Sequence, residues 1–126
     1  AGGGGIVSNK PAQPPVWLIG SFIVDGNDET AYLKGFGFEF KTDNLVVATN
    51  ETIKISGTWY VHDNGQLSMH FNTSSLPDDL LANAFNNLGD NWTMVKQSLN
   101  SMYLEAGALR NKKELRFDRR FKMTLY

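Results

Sequence analysis

Two histidines are the residues of this sequence whose type is best suited to metal binding or acid–base chemistry. His62 precedes Asp63, and His70 follows eight residues after His62 in "GTWYVHDNGQLSMHF", residues 57–71. A metal site or a catalytic site needs such side chains to converge on one point. In the strand pairing derived below His70 faces Thr58 and not His62, so we expect two surface histidines and no metal site.

Acidic pairs are the second candidates for chemistry. Asp78 and Asp79 suit the first turn of a helix, and Asp25 with Asp28 suits a loop. The chain has no cysteine, no serine-centred nucleophile elbow and no glycine-rich loop between a strand and a helix. We therefore expect no catalytic residues, no cofactor and no enzymatic activity.

Composition limits the classes of partner. A chain of 126 residues with 41% hydrophobic residues can build one core. A net charge of -1 gives no basic field for nucleic acid, and no apolar run approaches the roughly 20 residues of a membrane span.

The opening "AGGGGIVSNKPAQPPV" predicts a flexible tether over residues 1–15 and a folded domain over 16–126, with a cloning remnant as the alternative.

The alternation in residues 57–71 predicts a hairpin and its register. A three-residue loop that ends at Gly65 in the left-handed region pairs Trp59 with Met69 and Val61 with Leu67. One face of the hairpin then becomes wholly apolar. A two-residue loop would mix polar and apolar side chains on both faces, so we adopt the longer loop.

The same test predicts the preceding hairpins. A loop over residues 42–44, with Asn44 in the left-handed region, pairs Phe40 with Val46. A two-residue turn at residues 50–51 then matches Ala48 with Ile53. Gly57 lies where the long strand that follows could bend.

The residue patterns of the whole chain predict eight strands and one helix. The segment "SSLPDDLLANAFNNLGDN" has apolar residues at helical spacing, with Leu80, Ala84 and Phe85 on the face that would cover a barrel end. The strands are expected at residues 16–24, 34–41, 44–49, 52–62, 66–72, 91–97, 101–107 and 114–125. Short hairpins and one apolar face of the sheet favour an all-β, up-and-down antiparallel barrel with the helix between strands five and six. A two-sheet sandwich is the alternative.

Several short motifs, in this order, resemble those of a known family. "VWLIGSFIVDG", "GNDET", "GFGFEF", "ISGTWYVHDNGQLSMHF" and "DNWTMVKQ" resemble the small lipocalin-like domains of Bacteroidetes envelope lipoproteins, over residues 16–106. The resemblance implies a calycin-type barrel, export to the cell envelope, and a lipid anchor on a cysteine before the glycine-rich start. It implies no activity, and because the lipocalin Gly-x-Trp of the first strand lies here at residues 57–59, no ligand residues are carried over.

The barrel interior is the candidate binding site. Large aromatic side chains are expected to converge inside, with one cation, Arg119, in the same strand phase. The candidate ligand-binding residues are Trp17, Phe36, Phe38, Phe40, Trp59, Trp92 and Arg119. A packed core is the alternative for the aromatics, and Arg119 could pair with an acid, leave through a bulge, or meet an anionic headgroup.

The function predicted from this interior is non-enzymatic binding and carriage of a small apolar or amphipathic ligand. The alternative is a ligand-free interaction module, an inhibitor or accessory subunit that recognises a protein or glycan through its loops.

Overall fold

The computed structural model describes residues 15–107 and 111–120. Over these residues the chain forms nine strands, one 3-10 helix at Thr30–Leu33, and one α-helix, α1, at Asp79–Leu88. The strands are β1 (Trp17–Val24), β2 (Asn27–Asp28), β3 (Gly37–Phe40), β4 (Leu45–Thr49), β5 (Lys54–Val61), β6 (Leu67–Phe71), β7 (Asn91–Gln97), β8 (Ser101–Ala106) and β9 (Lys113–Arg119). The predicted tether, apart from Pro15, and the predicted continuation of the last strand over residues 121–125 lie outside the described residues.

Eight of these strands close into an antiparallel barrel, as predicted. The order is β1-β3-β4-β5-β6-β7-β8-β9, and β9 pairs back onto β1 from Trp17 opposite Arg119 to Val24 opposite Lys113. Closure gives the first and last long strands of the sheet a partner on both edges. The two-residue β2, which was not predicted, pairs with the end of β1. Because it adds one strand to the numbering, α1 lies between β6 and β7 rather than between the fifth and sixth strands.

The predicted registers of two hairpins are confirmed. Phe40 lies opposite Val46 across β3 and β4, and Trp59 lies opposite Met69 across β5 and β6. The two turns use the left-handed conformation at the expected positions. They are Asn44, with φ 64°, and Gly65, with φ 86°.

The register between β4 and β5 differs from the prediction by two residues. Ala48 lies opposite Ile55 and not Ile53. The cause is local, since the Asn50 side-chain oxygen accepts hydrogen bonds from the backbone amides of Thr52 and Ile53 at 2.9 and 2.7 Å. The connection therefore takes four residues instead of two, and because the shift is even, every side chain keeps its predicted face.

α1 closes one end of the barrel. Phe85 is fully buried there, with its ring centroid 5.1 Å from that of Phe36 and 5.3 Å from that of Phe71. The buried helix positions have the i, i+3, i+4, i+7 spacing of one face and are Leu81, Ala84, Phe85 and Leu88. The prediction that Leu80 lies on this face is wrong, because Leu80 is 57% exposed and Leu81 only 9%. Among the described residues, no helix is long and apolar enough to span a membrane.

Candidate functional site

The end of the barrel opposite α1 is open. Phe85 of α1 packs against Phe36, just before β3, and Phe71, at the end of β6, whereas the opposite strand ends, at Phe40 and Leu67, border a cavity of about 500 Å³. We call this opening the mouth. It is bounded by the turns at residues 41–44, 62–66 and 98–100, which connect β3 to β4, β5 to β6, and β7 to β8.

The mouth cavity has an apolar wall. Side chains from six strands line it, and Gln97 is the one polar side chain among the described residues that do so. The apolar lining residues are Trp17, Phe40, Trp59, Val61, Leu67, Met94 and Met102. Val61 is 52% exposed and forms part of the rim, so the cavity opens to solvent between apolar edges.

The aromatic part of the wall is held in place by polar and ring contacts. The Trp59 indole N–H donates to the Lys41 carbonyl oxygen at 2.9 Å. Its ring meets that of Phe40 edge-on, with centroids 5.7 Å apart, and Phe40 in turn meets Phe117 edge-on at 5.7 Å. Edge-to-face pairs of this kind are favourable beyond the area they bury. These contacts position the Trp59 and Phe40 rings at the cavity wall.

The aromatic residues predicted to form one site are divided between two halves of the barrel. Trp17, Phe40 and Trp59 line the mouth cavity. Phe36 and Phe38 instead lie in the packed half under α1, where both are buried. Trp92 is also fully buried, and its indole N–H donates to the Leu88 carbonyl at the end of α1, at 2.8 Å. These three residues are core in the structure.

Arg119 lies beside the cavity without lining it. Its backbone pairs with that of Trp17 across β1 and β9, and its amide donates to the Asn100 carbonyl in the β7–β8 turn at 2.8 Å. The residue is half-buried. The ion pairs found among the described residues are Lys112–Glu105, Lys113–Asp90 and Arg116–Asp118, and none of them involves Arg119.

Six lining residues are absent from the predicted site. They are Val61, Gly65, Leu67, Met94, Gln97 and Met102. The predicted hairpin register pairs Val61 with Leu67 on the apolar face, so for these two residues the signal for an inward position is present in the sequence. That signal does not distinguish a cavity wall from a packed core, and the selection of aromatic residues alone missed them.

The histidines and acidic pairs have structural surroundings. His62 and His70 are exposed, and the His62 Nε2 atom lies 2.6 Å from the Ser68 hydroxyl. The Asp78 carboxylate accepts from the Leu80 amide and caps α1. Over residues 15–107 and 111–120, no group of three or more His, Asp or Glu side chains could hold a metal ion.

The surroundings of Asp28 favour the ionised form of its carboxyl group. The hydroxyl of Thr30 donates to its carboxylate at 2.6 Å, and the Thr30 amide donates at 3.0 Å. These bonds, the hydroxyl first, lower the pKa of Asp28 below its ordinary value of 3.8. The arrangement fixes the turn after β2, at the end of the barrel away from the mouth.

Comparison with known proteins gives one likeness of fold. The crystal structure of a DUF4847 family protein from Bacteroides vulgatus ATCC 8482 matches with a TM-score of 0.56 at 19% sequence identity. The match covers 89% of this chain and 96% of that chain. At this identity the likeness is one of fold. No protein-family model and no curated protein matches the sequence.

Proposed function

We propose that this protein is a non-enzymatic binding protein that takes a small apolar or amphipathic molecule into the mouth cavity. The observation that carries the proposal is an opening of about 500 Å³ at the end of the barrel opposite α1, with an almost wholly apolar wall. Small-molecule sites are commonly concave, apolar and about 300–1,000 Å³ in volume. The interior of an eight-stranded barrel is either filled by side chains or holds one small ligand, and here one half is filled and the other is open.

The packed half of the barrel supports this proposal. The same barrel that leaves the mouth open fills its other half with α1 and with phenylalanine rings in mutual contact, as in the 5.4 Å pair Phe38–Phe117. Apolar wall left in contact with water lowers stability, because that area gains nothing from burial. A ligand that covers this wall would recover that free energy.

The test compares two substitutions on neighbouring residues of β7. Met94 lines the cavity, whereas Val95 is 56% exposed and does not. We expect the neutral probe N-phenyl-1-naphthylamine, excited directly, to bind the unaltered protein saturably at one site. Met94→Trp should weaken probe binding at least about tenfold, because its bulky ring occupies the space in the cavity that the probe needs. Val95→Trp should leave probe binding unchanged, because residue 95 does not line the cavity.

Two results would contradict the proposal. One is the absence of saturable probe binding to the unaltered protein. The other is an equal effect of Met94→Trp and Val95→Trp when both variants unfold cooperatively at similar urea concentrations. Either result would mean that the mouth is a surface depression and that function should be sought on the outside of the barrel.

The proposal also includes a class and a location. The motif resemblance to lipocalin-like domains of Bacteroidetes envelope lipoproteins supports that class, and the fold likeness to a Bacteroides protein is consistent with it. Export to the cell envelope, membrane attachment only through an N-terminal lipid anchor, and the lack of a nucleic-acid partner stay predictions. Fractionation of the source cells, with detection in the detergent-extracted envelope, tests the location.

A further inference from the structure

The strand phase of β9 brings a cation to the inner face at the mouth. Leu115 and Phe117 are buried inside the barrel, and Arg119 is the next residue of the same phase. Arg119 also lies directly opposite Trp17, which lines the cavity. Side chains of directly opposed residues point to the same face, with Cβ atoms about 4.5–5.5 Å apart. The Arg119 side chain therefore leaves the backbone beside the cavity wall and on the cavity's side of the sheet.

The carboxylate next to Arg119 in the sequence is already engaged elsewhere. Asp118 accepts from the Arg116 guanidinium at 3.2 Å and from the Ser101 hydroxyl at 3.0 Å, with its side chain in the opposite strand phase. Within residues 15–107 and 111–120, no carboxylate lies within ion-pair distance of Arg119. A half-buried guanidinium has lost part of its hydration and gains from an anionic partner.

The cavity itself contains no charge that would compete. No Asp, Glu, Lys or Arg lies among the described residues that line it. An ionised group placed deep in the cavity would lose its hydration without a partner, so it would stay at the rim. The rim is where β9 ends, at Arg119.

We infer that the ligand of the mouth cavity is an amphipathic anion, with its apolar chain in the cavity and its carboxylate, sulfonate or phosphate group on the Arg119 guanidinium. A planar guanidinium binds such groups through two parallel hydrogen bonds. The inference rests on the proposed function, because it assigns a chemical class to the molecule that the same cavity takes.

The experiment uses two ligands that share a chain and differ in charge. Dodecanoate and dodecanol, below the concentrations at which they aggregate, compete with N-phenyl-1-naphthylamine for the folded protein near pH 8. The variants are Arg119→Gln and, as the matched control on the same strand, Arg116→Gln, whose side chain faces Asp118. Arg119→Lys keeps the charge and removes the paired geometry.

The unaltered protein should bind dodecanoate at least about tenfold more tightly than dodecanol, as charge-assisted hydrogen bonds imply. Arg119→Gln should abolish that preference, because it weakens the binding of dodecanoate and leaves the binding of dodecanol unchanged. Arg119→Lys should keep part of the preference, and Arg116→Gln should keep all of it. Unfolding midpoints in urea identify any variant whose fold has changed. If Arg119→Gln is such a variant, Arg119→Lys takes its place in the comparison with the unaltered protein.

Three outcomes would overturn the inference in distinguishable ways. Equal binding of the acid and the alcohol means that the cavity takes a neutral molecule, and the proposed function survives. A preference for dodecanoate that Arg119→Gln leaves intact means that another group holds the anion. Failure of both molecules to displace the probe, or failure of the probe to bind, removes the proposed function together with this inference.

Discussion

Gly57→Ala is the substitution for which the structure gives the most definite consequence. Gly57 lies opposite Phe71 in the β5–β6 ladder. A Cβ atom at this position would lie 2.0 Å from the His70 carbonyl oxygen and 3.0 Å from the Phe71 Cα. The glycine is therefore required by the close approach of β6, whereas the sequence pattern indicated only a place where the strand could bend.

The expected cost can be worked from that geometry. The atoms in the way belong to backbone, so no side-chain rotation relieves the contact, and β5 and β6 must move apart by about 1 Å to restore even a 3.0 Å separation. Overpacking of this kind costs about 1–3 kcal/mol. One weakened ladder hydrogen bond adds about 0.5–1.5 kcal/mol. We expect Gly57→Ala to lower the free energy of unfolding by about 2–4 kcal/mol.

Urea denaturation followed by tryptophan fluorescence measures this loss as a lower midpoint at unchanged slope. Ser56→Ala, at the exposed neighbouring position, is the control and should change stability by less than about 0.5 kcal/mol. The double variant Gly57→Ala/His70→Ala should be no more stable than Gly57→Ala, because the clash is with backbone. Rescue by the second substitution, or a Gly57→Ala variant as stable as the unaltered protein, would refute the reasoning.

Two further predictions test α1 and the turn after β2. Leu81→Ala should cost about 2–5 kcal/mol in urea denaturation, because Leu81 is buried against the barrel, whereas Leu80→Ala should cost under about 0.5 kcal/mol; equal losses would put the helix in a different rotation. For Asp28, the lowered pKa means that its contribution to stability is present above the ordinary value of 3.8 and is lost as pH falls through the folded value. An NMR titration should give a higher Asp28 pKa in Thr30→Val than in Thr30→Ser, and the same pKa in both variants would exclude the hydroxyl as the cause.

Much of the fold could be predicted from local residue patterns. The left-handed turns at Asn44 and Gly65 were predicted with their registers, because a turn's length and conformation fix which residues face each other. The β4–β5 register was wrong because the side chain of Asn50 extends the turn, and alternation is equally satisfied by any even shift. The predicted buried face of α1 wrongly included Leu80, because both Leu80 and Leu81 fit an apolar stripe.

The sequence by itself determined the all-β class and favoured a barrel over a sandwich. It also determined the inner face of β3 to β6 and the inward phase of Arg119, since these follow from a two-residue period and short turns. Only the tertiary structure decided which inward residues line a cavity. Strand tilt and stagger set the height of each residue along the barrel axis, and alternation carries no information about that height. α1 fills the half that contains Phe38 and Trp92, and the half that contains Trp17 and Trp59 stays open because nothing in the described chain covers it.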